Sequence, residues 1–160
     1  MKITILSVGK IKEAFFTQAI DEYKKRMSRF AQFNVIEVAD ERIPENASEK
    51  ERELIKKREG EKLLSKLPEQ SFVISLCIEG KTLSSEELAD TIRGAYQNTN
   101  HITFIIGGSL GLSDEVKARS NLRLSFGRMT MPHQLMRVVL SEQIYRAFMI
   151  NSGATYHKKY

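Results

Sequence analysis

Three glycines within five residues follow an apolar, β-rich run in the stretch TFIIGGSLGL (103–112). Their spacing, at Gly107, Gly108 and Gly111, does not match the G-x-G-x-x-G fingerprint of a dinucleotide site. A glycine turn after a strand still lets a ligand approach the backbone closely, because no Cβ intervenes. The stretch indicates a strand that leads into a small-molecule site, although a plain strand-to-helix turn is the alternative for any one glycine.

A second constellation lies in GRMTMPHQLMRVVLSEQ (127–143). The loop 127–132 has backbone donors and acceptors that can recognise an adenine edge much as a complementary base would. Behind it, His133, Arg137 and Ser141 are spaced at i, i+4 and i+8, which predicts one polar stripe on a helix.

Two other chemistries are poorly supported. The three histidines, 101, 133 and 157, have no metal-ligand spacing, and the single Cys77 has no partner, so we expect no metal. No G-x-S-x-G nucleophile motif occurs, which disfavours a Ser-His-Asp hydrolase. We assign no functional role to His101 or Cys77.

Positive charge is concentrated at the end of the chain. The net charge is +5, yet residues 117–160 contain eight Lys or Arg against the single acid Glu142. Such an asymmetry favours a polyanionic partner, because Lys and Arg near phosphates release counterions. A solvated basic face without a ligand is the open alternative.

The elements that must position these residues alternate between strand and helix. Apolar runs predict strands at 2–8, 33–38, 71–78, 102–108 and 121–127. Periodicity and capping signals predict helices over 12–30, from Ser48 onward, from Ser84 to Tyr96, over 114–119 and over 132–150. This pattern predicts a single α/β domain over 1–160, with a mostly parallel sheet flanked by helices. Ligands of such sheets bind beyond the carboxyl ends of strands. The predicted ends are Leu76-Cys77 with a turn at Glu79-Gly80, then Gly107-Gly108, and Gly127.

The last helix is apolar over more than half its circumference, which exceeds what one sheet face can cover. We therefore expect a homodimer, with simple core burial as the alternative. The chain has a single cysteine, and we recognise no signal peptide and no apolar run long enough to span a membrane. These features predict a cytoplasmic protein that does not associate with membranes.

Three motifs, FIIGGSLGL, LSFGRMTMPHQLMRVVLSEQIYRAFMI and the ending YHK, together resemble the RlmH-type methyltransferases of the SPOUT class. The N-terminal MKITILSVGKIKE fits as well, so the resemblance covers essentially all 160 residues. It implies a C-terminal trefoil knot, which most folds avoid. It also implies an enzyme that methylates N3 of a pseudouridine in the 23S ribosomal RNA of assembled ribosomes, acting as a bare dimer.

The resemblance further implies S-adenosyl-L-methionine (AdoMet) as the cofactor, bound in the knot. Carried over residue by residue, the cofactor site comprises Leu76, Gly108, Gly127, Arg128, Met129, Thr130, Met131 and Pro132. It places the terminal YHK over the active site, with one subunit supplying AdoMet and the partner's tail closing the site.

Catalytic roles are hypotheses at this point. We expect His157 to help deprotonate N3 or to stabilise the developing charge, and Tyr156 and Lys158 to orient the base and its phosphate. His133 and Arg137 are alternative candidates for the same catalytic roles. RNA phosphates are expected to contact Lys158, Lys159, Arg119, Arg123 and Arg146.

Two alternatives come from other functional classes. A non-catalytic RNA- or ribosome-binding protein keeps the fold without the chemistry, and the intact GGSLG, GRMTMP and YHK disfavour it. A nicotinamide oxidoreductase predicts G-x-G-x-x-G after the first strand, where this chain has VGKIKE.

Overall fold

The computed structural model describes residues 1–156, in which strands and helices alternate. The elements are β1 (Lys2–Val8), α1 (Ala14–Met27), β2 (Gln32–Val38), α2 (Glu49–Lys66), β3 (Phe72–Thr82), α3 (Ser85–Ala95), β4 (His101–Ile106), α4 (Asp114–Arg119), β5 (Leu122–Ser125) and α5 (His133–Asn151). The predicted α/β fold with a parallel sheet flanked by helices is confirmed.

The sheet has the order β2-β1-β4-β3-β5, and every pairing among the described strands is parallel. β1 lies inside the sheet, with Leu6 between Ile36 of β2 and Ile105 of β4. Because the strands are parallel, the loops after β4, β3 and β5 emerge side by side at one edge. These are the loops that the sequence marked as candidate ligand sites.

Helices cover both faces of the sheet. On one face Ile3 and Ile5 of β1 pack with α1, α3 and α5. On the other face Leu6 and Val8 pack with α2 and α4, through residues such as Leu63. Side chains alternate between the faces of a strand, so a nearly continuous apolar run is what a strand buried on both faces requires.

Local signals set several helix ends. Ser48 and Glu51 form a capping box at the start of α2, and Ser84 and Glu87 form another at the start of α3, as predicted. At the end of α5, Gly153 has φ +79°, and the amides of 153 and 154 donate to the carbonyls of 150 and 149. This is a Schellman motif, in which a glycine in the left-handed conformation ends the helix.

The predicted turn at Glu79-Gly80 is wrong. β3 continues to Thr82, and its register against β5 shifts so that both Leu76 and Lys81 pair with Leu124. Residues 77–80 therefore bulge out of the ladder. A Cβ on Gly80 would lie 2.7 Å from the Arg123 carbonyl oxygen, so the glycine permits close approach of two strands rather than a chain reversal.

None of the helices formed by residues 1–156 combines the length and the apolar character that a membrane crossing requires. The trefoil knot stays a prediction.

Candidate functional site

A cleft of about 400 Å³ opens at the carboxyl ends of β3, β4 and β5, against the first turns of α5. Its walls combine backbone-rich loops with apolar side chains. The lining residues are Lys56, Leu76, Cys77, Ile78, Glu79, Ile106, Gly107, Gly108, Ser109, Leu110, Gly111, Leu112, Lys117, Leu124, Phe126, Gly127, Met129, Thr130, Met131, His133 and Met136.

The loop after β4 folds tightly on itself. Gly108 and Gly111 form an isolated antiparallel bridge, and Gly111 has φ +87°. A Cβ on Gly107 would lie 2.9 Å from the carbonyl carbon and oxygen of Gly111. The glycines therefore allow a turn that no larger residue fits, and they leave main-chain groups facing the cleft.

The loop between β5 and α5 forms the opposite wall. Gly127 has φ +109°, and its amide donates to Ser125 Oγ at 3.1 Å. The same hydroxyl donates to the carbonyl of Ile78 at 2.8 Å, which ties the loop to the β3 bulge. The amides of residues 128–131 make no backbone hydrogen bond within residues 1–156, and the Met129 side chain is 86% exposed. This wall offers main-chain donors and an apolar side chain to a ligand.

His133 begins α5 and lines the cleft. Burial lowers the pKa of its imidazole, and the positive charge of Arg137 lowers it further, while Asp40 acts in the opposite direction. The ring is therefore neutral at physiological pH and is able to accept a proton.

Arg137 lies outside the cleft lining and is fully buried. Its guanidinium donates to Glu37 Oε2 at 2.6 Å and to the carbonyls of Val8 and Gly9 at 3.0 and 2.8 Å. Ser141 is also buried and donates to the Arg137 carbonyl. Of the polar stripe predicted on α5, Arg137 and Ser141 thus face inward and only His133 faces the cleft. Arg137 joins the helix to the ends of β1 and β2.

Tyr156 packs on α5 at a distance from the cleft. Its hydroxyl donates to Glu142 at 3.0 Å and its ring meets Tyr145 edge-on. Burial, followed by the bond to Glu142, raises the pKa of Tyr156 to about 12. Glu142 lies about 13 Å along the helix from His133, at 1.5 Å rise per residue. Tyr156 therefore does not line the cleft. His157, Lys158 and Lys159 lie outside the described residues.

The structure brings seven of the predicted site residues around one cleft: Leu76, Gly108, Gly127, Met129, Thr130, Met131 and His133. Arg128 and Pro132 belong to the same loop but do not line the cleft, and their proposed contact with a cofactor stays a prediction. Two lysines that were not predicted also line the cleft: Lys56, on α2, and Lys117, which pairs with Glu79 at 2.5 Å. This hydrogen bond from Lys117 lowers the pKa of Glu79.

The basic residues expected to contact RNA differ in their surroundings. Arg119 and Arg123 donate weakly, at 3.4 Å, to carbonyls of Ser71 and Lys117. Arg146 is half-buried and pairs with Glu142 at 2.7 Å, so its charge is largely balanced within the subunit. No group of three or more metal-ligating side chains lies together within residues 1–156.

Residues 1–157 match the family model described as a predicted SPOUT methyltransferase, so the chain belongs to the SPOUT methyltransferase family. Two of its relatives carry the name ribosomal RNA large subunit methyltransferase H. The protein of Lactococcus lactis subsp. cremoris (strain SK11) is 57% identical and that of Clostridioides difficile (strain 630) is 56% identical. Each alignment spans 99% of this chain and 100% of the relative.

Two solved structures are similar in fold. A probable methylase family protein from Haemophilus influenzae Rd KW20 aligns with a TM-score of 0.53 and 11% identity. The alignment covers 94% of this chain and 66% of the length of that protein's chain, which is just under two thirds. The tRNA (m1G37) methyltransferase from Aquifex aeolicus aligns with a TM-score of 0.51 and 12% identity, covering 91% of this chain and 70% of its own. At such identities the likeness concerns the fold alone.

Proposed function

We propose that the protein transfers a methyl group from AdoMet to N3 of a pseudouridine in 23S ribosomal RNA, acting on assembled ribosomes. The observation that carries this proposal is the 57% identity, over the full length, with a protein named ribosomal RNA large subunit methyltransferase H. Because ribosomes are the proposed substrate, the proposed site of action is the cytoplasm.

The cleft fits the cofactor in size and character. Side chains at Gly107 and Gly108 would meet the protein's own atoms within 2.9–3.1 Å, so this wall is bare backbone. The amides of residues 128–131 are available to read the edge of an adenine. Leu76 and Met129 supply apolar cover for its faces. When bound, AdoMet supplies an electrophilic methyl group carried on a sulfonium.

The acceptor nitrogen carries a proton and is a poor nucleophile until that proton leaves. Two histidines are candidates for this role. His133 is at the cleft with a lowered pKa, which favours the neutral, proton-accepting form. His157, next to Tyr156 in sequence, is the candidate that the family resemblance implies. Tyr156 and Lys158 are proposed to orient the base.

The tail is proposed to act in the partner's site. Tyr156 is anchored to Glu142 and Tyr145, on a part of α5 well removed from its own cleft. A homodimer that presents this part of α5 to the cleft of the second subunit brings the tail to the cofactor. Apolar surface supports such a dimer, because Phe15 of α1 is 62% exposed and Leu135, Val138 and Val139 of α5 are only partly buried.

Two measurements test the function. Calorimetry with AdoMet separates a methyltransferase from a ribosome-binding protein that has lost the chemistry. Labelled AdoMet is then incubated with intact ribosomes, free subunits and naked RNA, and the product nucleoside is identified by mass spectrometry. We expect label in N3-methylpseudouridine, greatest with intact ribosomes. Failure to bind AdoMet contradicts the proposal.

Trans action has its own test. A subunit whose cleft is blocked by Thr130→Trp, a change at an exposed residue of the cleft lining, is mixed with a subunit that carries His157→Ala and Tyr156→Ala. If the tail acts in trans, one active site of each heterodimer is complete, so the mixture regains activity that neither variant has. A mixture as inactive as its components contradicts trans action.

A further inference from the structure

α2 makes two close contacts with the cofactor loop, defined here as residues 107–113 between β4 and α4. Both contacts come from adjacent residues, Glu59 and Gly60, in the middle of a highly charged helix. Both residues are buried, although neither lines the cleft. The proposed function does not use them.

Gly60 meets the far end of the cofactor loop. A Cβ at this position would overlap the Ser113 hydroxyl and would lie 3.1 Å from Ser113 Cβ and 3.2 Å from Val116 Cγ2. Ser113 is the N-cap of α4, and its hydroxyl accepts from the Val116 amide. Glycine inside a helix is less stable than alanine, so its presence here is consistent with a need for the two segments to approach closely.

Glu59 meets the near end of the same loop. Its Oε1 lies 3.1 Å from where a Cβ on Gly108 would be, beside Val8 Cγ1. Its Oε2 accepts a hydrogen bond from the Glu41 amide at 2.9 Å. The side chain is only 5% exposed, so it fills the space behind Gly108 and also ties that point to the loop after β2.

We propose that Glu59 and Gly60 are positioning residues that hold the two ends of the cofactor loop and thereby set the affinity for AdoMet. The proposal rests on the proposed function for the identity of the ligand. Neither residue lines the cleft, so each is assigned an action through the loop. Glu59 does line a smaller adjoining cavity of about 190 Å³, together with Gly108 and His133. A helix that is fixed to the sheet by its own apolar face, as α2 is through Leu63, provides a rigid support for such a loop.

The main test is Gly60→Ala with a matched control and a steric rescue. Gly94→Ala makes the same change within α3, where nothing lies within 4 Å of the new Cβ. Ser113→Gly removes the atoms that a methyl group at position 60 would overlap, while glycine is still accepted at an N-cap. Dissociation constants for AdoMet are measured by calorimetry for wild type, the three single variants and the Gly60→Ala/Ser113→Gly double variant.

We expect Gly60→Ala to weaken AdoMet binding about tenfold, which corresponds to about 1.4 kcal/mol. Gly94→Ala should bind as wild type does. The double variant should regain affinity to within about threefold of Ser113→Gly alone, because the overlap is gone. Wild-type affinity in Gly60→Ala overturns the proposal, and so does a loss that Ser113→Gly leaves unchanged.

Hydrogen–deuterium exchange provides a readout that does not depend on the ligand. In the free protein, amides of 107–113 should exchange faster in Gly60→Ala than in Gly94→Ala. Unchanged exchange overturns the proposal. If the wild type binds no AdoMet, the proposed function fails while the exchange result still decides whether α2 holds the loop.

Glu59 gives a second route if Gly60→Ala does not fold. Glu59→Gln keeps the shape and an acceptor for the Glu41 amide, whereas Glu59→Ala removes both. We expect Glu59→Ala to bind AdoMet about fivefold more weakly than Glu59→Gln, with faster exchange at 107–113. Equal affinity and equal exchange in the two variants overturn the assignment of Glu59.

Discussion

Replacing Arg137 with methionine tests whether this residue is structural or catalytic. Methionine fills much of the same volume but donates no hydrogen bonds. The carbonyls of Val8 and Gly9 then lose their buried donor, and the Glu37 carboxylate loses its ion pair.

The magnitude follows from these contacts. Leaving a buried acceptor unpaired costs about 1–3 kcal/mol. Breaking a fully buried ion pair costs about 3–5 kcal/mol. The Glu37 side chain is 30% exposed, so water stabilises its freed charge and reduces that part of the cost. Arg137 Nε has no hydrogen-bond partner within residues 1–156. Removing this unpaired buried donor further reduces the expected loss of stability. We expect a loss of about 3 kcal/mol, or about 6–12 °C in Tm for a chain of this size.

Urea unfolding of wild type, Arg137→Met and Glu37→Gln at one protein concentration measures this loss. Concentration is held fixed because the stability of the proposed dimer would depend on it. Glu37→Gln keeps an acceptor oxygen for the guanidinium, so its loss should be about half as large or less. A loss below about 1 kcal/mol in Arg137→Met, or a larger loss in Glu37→Gln, refutes this reasoning. If folded Arg137→Met binds AdoMet normally yet has no turnover, Arg137 takes part in the chemistry directly.

Three further predictions concern other parts of the molecule. Burial raises the pKa of Glu59, and the charges of Asp40 and Glu41 raise it further, against the lowering effects of the hydrogen bond from the Glu41 amide and of Lys62. The stability that Glu59 contributes is therefore greatest at low pH and is lost as the pH rises through that raised pKa. The stability of Glu59→Gln relative to wild type should therefore increase between about pH 4 and about pH 8 in urea unfolding, and a constant difference contradicts this. Gly127→Ala forces a side chain into a positive φ and should cost about 1–3 kcal/mol, whereas wild-type stability would mean that the loop adopts another backbone conformation. Ser84→Ala removes a capping box that is not part of the cleft lining and should cost about 1 kcal/mol without changing AdoMet affinity. A change in AdoMet affinity would contradict the expectation that this cap acts on stability alone.

The sequence was sufficient for the architecture because the strands are apolar on both faces and alternate with capped helices. It was also sufficient for much of the cleft, since parallel strands that end near glycine at 107 and 127 end at the same edge of a sheet. The β3 bulge was not predictable in this way. A glycine after an apolar run fits a turn as well as a bulge. At Gly80, only the pairing of β3 with β5 distinguishes the bulge from a turn.

Contacts between distant segments account for the rest. Arg137 is polar and sits in a regular polar stripe, yet its partner Glu37 is 100 residues away, so no local pattern indicates its burial. Lys56, Glu59 and Gly60 belong to a helix with charge on most of its surface, and their closeness to the cleft depends on how α2 packs on the sheet. Helical periodicity carries no information about that packing.

The interior place of β1 in the sheet has a consequence for synthesis of the chain. β1 pairs with β2 on one side and with β4, which begins at His101, on the other. At about 5–20 residues per second, a ribosome needs about 5–20 s to translate the intervening stretch. Throughout that interval the second edge of β1 in the nascent polypeptide has no native neighbour. That edge is therefore open to wrong strand pairing until β4 has been synthesised.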